Sequence, residues 1–262
     1  MFVRVRQLGT LSSLAVWIAP CITASFVGAI SVAVAADSKH AQINGKEYQV
    51  VHADLKTEQV RLFFANARGE PYRTLPTLRA EIGTALLAAT NAGMYDRGKT
   101  RPPVGLLIAN GKRIRDINLG NGAGNFYKKP NGVFFVDHGQ AGILESGEFA
   151  KRYPIEKTAV ADATQSGPML LINGAPRSDL PPTPNIRSAV GVASPTEIYF
   201  VLSVSEVSFL ELATMMKDSL NCTDVLYLDG AISNMDTREQ PSKAKRDRYA
   251  GIIGIVELAA NR

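Results

Sequence analysis

The sequence predicts an α+β fold: a strand-rich mixed sheet with antiparallel hairpins, few helices and at least one parallel βαβ crossover. Three observations carry this expectation. Short runs rich in β-branched and aromatic residues are separated by turn dipeptides, helical periodicity is confined to a few segments, and one stretch from Ile198 to Asp229 reads as strand, helix, strand. The crossover in that stretch has a length that suits a right-handed parallel unit.

The elements follow in chain order. Asn44-Gly45 separates an edge segment from Tyr48 to Val51, Asn110-Gly111 separates Val104 to Ala109 from Lys112 to Asn118, and Asn173-Gly174 follows Met169 to Ile172. Each pair supplies the positive φ angles of a primed hairpin turn. Asp137-His138-Gly139-Gln140 predicts a further hairpin between Val133–Val136 and Ile143-Leu144, and Ser194 to Glu197 turns Ala189–Ala193 back into the strand at Ile198. Helices are expected from Pro76 to about Ile82, near Glu148, and after Ser208. At the last of these, Ser208 and Glu211 form a capping-box signature ahead of Phe209, Leu212, Ala213, Met216 and Leu220 at helical spacing. Pro181-Pro182-Thr183-Pro184 holds the chain extended, as a surface loop that delivers Arg187 to the next strand.

With 262 residues, 45% of them hydrophobic and 20% charged, the chain can bury a sizeable core. Residues 1–36 have a separate character. Arg4 and Arg6 precede a long uncharged apolar stretch ending in Ala33-Val34-Ala35-Ala36, which is the pattern of an export signal, or of a membrane anchor if uncleaved. Residues 37–262 are expected to form a single domain, exported to the periplasm or secreted, with the membrane reached only through the amino-terminal segment.

Removing Arg4 and Arg6 lowers the net charge from +5 to +3, too small an excess to point to nucleic acid. The basic cluster Lys243–Arg248 is interrupted by Asp247 and reads as a solvated loop. Cys222 is the one cysteine after residue 36, so neither a disulfide framework nor a cysteine metal site is available there, and a buried structural thiol is expected. His40, His52 and His138 have no metal-ligand spacing. No cofactor is expected, and calcium or magnesium on scattered carboxylates stays open. Ser166 lacks the nucleophile-elbow pattern of serine hydrolases.

Four polar islands interrupt the apolar strands: Asn91-Ala92-Gly93, Gln165-Ser166-Gly167, Arg187-Ser188, and Asp229-Gly230 with Ser233 close behind. Each places a polar side chain at a strand end beside a small residue, where backbone can approach a ligand. Asp229 is the sharpest case, because the apolar run Val225–Leu228 stops abruptly at a carboxylate.

The pieces NAGMY (91–95), PVG (103–105) with NGK (110–112), GNFYKKPNGVFF (124–135), QSGPMLLINGAP (165–176), RSAVGV (187–192) and LYLDGAIS (226–233) occur in one order across the chain. Together they resemble the phosphodiester glycosidase family, in particular its exported bacterial members. Where many relatives read Asn-Gly-Gly-aromatic and Leu-Asp-Gly-Gly-x-Ser, this chain has Ala92 and Ala231.

The resemblance implies hydrolysis of a sugar 1-phosphodiester between the anomeric carbon and the phosphate, on envelope or extracellular polysaccharide units. A phosphate monoester leaves as a stable anion, so the demand for a general acid falls and the demand for an anion clamp rises. On this reading Asp229 is general base or nucleophile and Arg187 the bidentate phosphate ligand. Asn91, Gly93, Gln165, Ser166, Gly167, Gly230 and Ser233 contact substrate, and Asp96 and Asp116 are candidates for a second carboxylate. A second reading on the same fold is a non-catalytic saccharide-binding or exopolysaccharide-assembly protein.

Overall fold

The computed structural model describes residues 38–96, 100–154, 160–230, 232–243 and 248–258. The export-signal segment, Ala231 and residues 244–247 of the basic cluster lie outside them. Among the described residues the strands form three sheets. In the seven-stranded sheet the spatial order is β1 (Ser38–Ile43), β2 (Lys46–Asp54), β13 (Glu197–Ser203), β12 (Ser188–Ser194), β14 (Asp224–Asp229), β10 (Met169–Ile172) and β11 (Ala175–Pro176). A four-stranded sheet runs β15 (Met235–Thr237), β4 (Leu86–Asn91), β16 (Ile252–Glu257), β3 (Glu58–Phe63). A five-stranded sheet runs β6 (Lys112–Arg115), β5 (Leu107–Ala109), β9 (Asp162–Ser166), β7 (Gly132–Asp137), β8 (Gln140–Glu145). The helices are α1 (Leu75–Ile82), α2 (Ser146–Arg152) and α3 (Phe209–Leu220).

Local chemistry fixes the hairpins and helix ends. Asn44-Gly45, Asn110-Gly111, His138-Gly139 and Asn173-Gly174 all take positive φ at both residues and close β1–β2, β5–β6, β7–β8 and β10–β11. The capping box is formed as its residues require: the Ser208 N–H donates to Glu211 Oε2 at 2.7 Å and the Glu211 N–H to Ser208 Oγ at 3.1 Å. Helix α3 ends at Asn221 in the left-handed conformation.

The expected parallel unit needs correction, because every paired strand in the three sheets is antiparallel to its partner. Helix α3 does connect β13 to β14, but β12 lies between them and pairs with both. Strand β13 has no edge to offer β14, since its hairpin partner β12 occupies one side and β2 the other. Small residues let β12 pass under the helix. A Cβ added at Gly191 would come within 2.6 Å of Cys222 Sγ and 2.7 Å of Met216 Cε.

The main core draws on all three sheets, including Val51, Leu62, Phe134, Val190, Phe200, Leu226, Leu228 and Ile253. A second cluster seats α3 on the other face of the seven-stranded sheet, where Leu212 and Met216 meet Ala189, Val201, Val225 and Tyr227. Strand β14 is thus buried on both faces, which explains its uninterrupted apolar run. Cys222 is buried beneath α3, and burial pushes its thiol pKa up to about 12, so it behaves as a packing group.

The sheets are cross-linked by a buried carboxylate. Asp162 on β9 accepts from the Leu62 N–H of β3 at 2.8 Å, from the Asn110 N–H at 3.1 Å and from Arg61 Nε at 2.9 Å. Removing it strands two backbone donors and a cation together. Asp162→Ala is therefore expected to lower unfolding free energy by about 3 kcal/mol in urea titrations, whereas Ser208→Ala should lower it by about 1 kcal/mol through loss of the cap.

Candidate active site

Side-chain alternation along β14 sends Val225 and Tyr227 toward α3 and continues to Asp229 at the strand end. There Asp229 stands in the wall of two cavities. The larger, about 710 Å³, is bordered by Tyr95, Asp96, Arg115, Asn125, Phe126 and Tyr127, with Asp229 and Ile232 at one side. The smaller, about 450 Å³, is bordered by Asn125, Lys128, Asn185, Arg187, Tyr227, Asp229 and Gly230. Asn125 and Asp229 belong to both.

The Asp229 carboxylate is half-buried, and its Oδ1 accepts from the Gly230 N–H at 2.7 Å. Burial raises its pKa above the ordinary carboxylate value, and the Gly230 hydrogen bond opposes this only in part. Tyr227 beside it is pushed up to about 12, chiefly by burial and then by the Asp229 charge, so its hydroxyl stays a donor at neutral pH. Behind the carboxylate, Ser188 Oγ links the strand ends. It receives the Asp229 N–H at 3.3 Å and Asn91 Nδ2 at 3.3 Å, and pairs with Ser233 Oγ at 2.7 Å.

Arg187 borders the smaller cavity but is only 3% exposed. Its Nε donates to the Val207 carbonyl at 2.8 Å and its Nη2 to the Thr183 carbonyl at 2.7 Å, while the guanidinium lies 3.5 Å from the Phe209 ring centroid. The proline-rich loop thus supplies a carbonyl that fixes the arginine, as well as leading the chain to it. Burial lowers the Arg187 pKa without threatening its charge. Its fork is already committed on two nitrogens, so a two-pronged grip on phosphate through Nε and Nη2 is not open to it. The Lys128 ammonium, held to Asn125 Oδ1 at 2.9 Å, adds a second cation to the same cavity.

Of the residues given catalytic or substrate-binding roles, Asp229, Arg187 and Gly230 border a cavity, as does the candidate second carboxylate Asp96. The others sit behind it. Gln165 is buried, and its carboxamide is saturated: Oε1 accepts from the Leu106 and Asn118 N–H groups at 3.0 and 2.9 Å, and Nε2 donates to the Asn118 carbonyl and Ser146 Oγ at 2.8 and 2.9 Å. Ser166 Oγ donates to the Leu228 carbonyl at 3.0 Å, tying β9 to the strand that carries Asp229.

Gly93 and Gly167 are sites of close backbone approach. A Cβ at Gly93 would meet the Gln165 carbonyl at 2.2 Å, and one at Gly167 would meet the Asn131 Cβ at 2.5 Å. Asn91 and Ser233 reach Asp229 only through Ser188. Ala92 packs in the main core, so its methyl group does not narrow a ligand's approach. Asp96 borders the larger cavity, whereas Asp116 is ion-paired with Arg113 at 3.6 Å beside a separate cleft.

Tyr95, Asn125, Lys128 and Tyr227 lie inside the quoted motif pieces, but the sequence assigns them no role. Tyr227 was accessible to the alternation that places it on the same face as Asp229. No group of His, Cys, Asp and Glu among the described residues has the grouping of a metal site.

A strand-end carboxylate stands between two clefts, with a buried arginine bordering one of them. The chain belongs to the phosphodiester glycosidase family, which it matches over residues 84–255. It is 35% identical to the uncharacterized protein YigE of Escherichia coli over 208 residues, covering 78% of this chain and 79% of that protein. In fold it is similar to the catalytic domain of zebrafish N-acetylglucosamine-1-phosphodiester alpha-N-acetylglucosaminidase, solved auto-inhibited by its pro-peptide. The TM-score is 0.59 at 14% identity, over 85% of this chain and 82% of that one. A Burkholderia pseudomallei protein shares the fold with TM-score 0.55 and 14% identity, over 80% of this chain and 74% of that one.

Because the raised pKa of Asp229 reflects a cost of ionising it in the folded chain, stability from this group is present at acid pH and is lost as pH rises from the ordinary carboxylate value of about 4 through the raised one. Asp229→Asn removes that loss. Its melting temperature should exceed the wild type at about pH 7, with the gap closing near about pH 3, by calorimetry at both values.

Proposed function

We propose that the protein is an exported hydrolase that cleaves a sugar 1-phosphodiester between the anomeric carbon and the phosphate. The observation that carries this reading is the position of Asp229 in the wall shared by two cavities, one of them bordered by Arg187 and Lys128. A glycosyl phosphate has the matching shape: an anomeric carbon with a sugar on one side and an anion on the other.

In this assignment the phosphate occupies the smaller cavity, with Lys128 and the Tyr227 hydroxyl as donors and Arg187 as a fixed positive charge beneath. Low accessibility strengthens that charge, since little water competes with it. The sugar occupies the larger cavity, against Tyr95, Phe126 and Tyr127, whose rings suit the apolar face of a pyranose. Asp229 then acts at the anomeric centre, as base toward water or as nucleophile. Its raised pKa brings it closer to the working pH of a base than an ordinary carboxylate would be. Phosphate departs as an anion into the cationic cavity, so no second carboxylate is required for leaving-group protonation.

Envelope or extracellular polysaccharide units are the proposed source of the substrate, in keeping with the export-signal pattern of residues 1–36.

A panel of sugar 1-phosphodiesters assayed for released sugar tests the reading. Wild type should hydrolyse at least one of them, and Asp229→Asn should lose at least about 10²-fold in kcat with little change in KM. The wild-type rate should fall on the acid side through a limb placed above about pH 4, where an ordinary aspartate would titrate. Binding without turnover across the panel would favour the saccharide-binding alternative.

A further inference from the structure

Outside the two cavities already described, three arginines come together with no carboxylate paired to them among the described residues. The Tyr249 N–H donates to the Arg73 carbonyl at 2.8 Å, which brings Arg248 beside Arg73, and Arg73 Nη1 donates to the Arg101 carbonyl at 3.2 Å. None of the three forms an ion pair with a carboxylate among the described residues, a property they share with Arg115, Arg152 and the cavity-bordering Arg187.

The backbone marks the same place. Arg73 and Arg101 have φ of 63° and 46°. The remaining described non-glycine residues with positive φ are asparagines at turns and a helix end, and His138 in a hairpin turn. Such a conformation is uncommon for a long side chain, and it is kept here at both members of a cationic pair. Burial of Arg73, with the charges of Arg248 and Arg101 adding to it, lowers its pKa.

The cluster is joined to the larger cavity. The Arg101 guanidinium lies 5.1 Å from the Tyr95 ring centroid and its Nη1 is 3.4 Å from the Tyr95 hydroxyl, and Tyr95 borders that cavity. Tyr95 thus joins the larger cavity to Arg101, the nearest of three guanidinium groups whose donor geometry matches phosphate oxygens.

We propose that Arg73, Arg101 and Arg248 form an anion subsite on the Tyr95 side of the larger cavity, and that it takes a second phosphate of the same substrate chain. The substrate is then a glycan with repeated phosphodiester links, held at one phosphate beside Arg187 and at another beside Arg101. This assignment rests on the hydrolase reading for the first phosphate, while the subsite is testable without it.

The probe is a synthetic glycerol phosphate oligomer with three phosphates, which has no glycosidic bond to cleave, titrated calorimetrically into the full chain at low salt. Wild type should bind it at least about tenfold more tightly than Arg101→Gln/Arg248→Gln does, and at least about tenfold more tightly than it binds inorganic phosphate. Lys217→Gln on α3, an exposed charge removed elsewhere, should bind as wild type does.

Equal affinity of the double variant and wild type overturns the subsite, as does an equal loss in Lys217→Gln. Inorganic phosphate binding as tightly as the oligomer overturns the extended chain. Arg248→Gln alone, at an exposed side chain, guards against misfolding of the double variant and should weaken the oligomer at least about threefold with an unchanged thermal melt. If Asp229→Asn still hydrolyses sugar 1-phosphodiesters, the hydrolase reading fails separately, and the oligomer titration is unaffected.

Discussion

The candidate site depends on one buried carboxamide. Gln165 makes four side-chain hydrogen bonds to groups from the segment at Leu106, the loop at Asn118 and the start of α2, three segments distant from it in sequence. A buried amide with every donor and acceptor matched fixes position as no apolar side chain can, because each bond has a direction and each missing bond would leave an unsolvated polar group. Asn118 borders the larger cavity, and Leu106 lies two residues from Val104, which also borders it. The cavity wall is thus defined by a residue that does not face it.

Around that anchor the chain tolerates two unusual burials. Arg187 is nearly inaccessible yet charged, and what stabilises it is a pair of backbone carbonyls and an aromatic face rather than a carboxylate. A carboxylate there would neutralise the cation and leave nothing to attract an anion. Asp229 has the opposite problem. Its ionised form is disfavoured by burial and supported by one backbone N–H, with no salt bridge to it among the described residues.

Much of this was legible in the residues. Asn-Gly pairs have few alternatives to primed turns, the Ser208–Glu211 spacing has a specific hydrogen-bonding consequence, and an apolar run that halts at Asp229 places a carboxylate at a strand end. What was not legible involves partners far apart in sequence. A strand-end glutamine reads the same whether its amide meets a ligand or two loops, and a glycine reads the same whether a substrate or another strand approaches it. The position of β12 between β13 and β14 follows from which edges of β13 are already filled, and that is a property of the whole sheet.

The two cavities that meet at Asp229 are built from different parts of the chain. One takes its far wall from residues 94–96, 103–104, Arg115 and Asn118, and the other from residues between 181 and 187 and from Phe209, with the segment at Asn125 and the end of β14 as common ground. Selection can therefore remodel one chamber without disturbing the other or the carboxylate between them. A substitution in the far wall of one chamber leaves the lining of the other in place, so the two halves of whatever ligand meets Asp229 are read by separate stretches of chain.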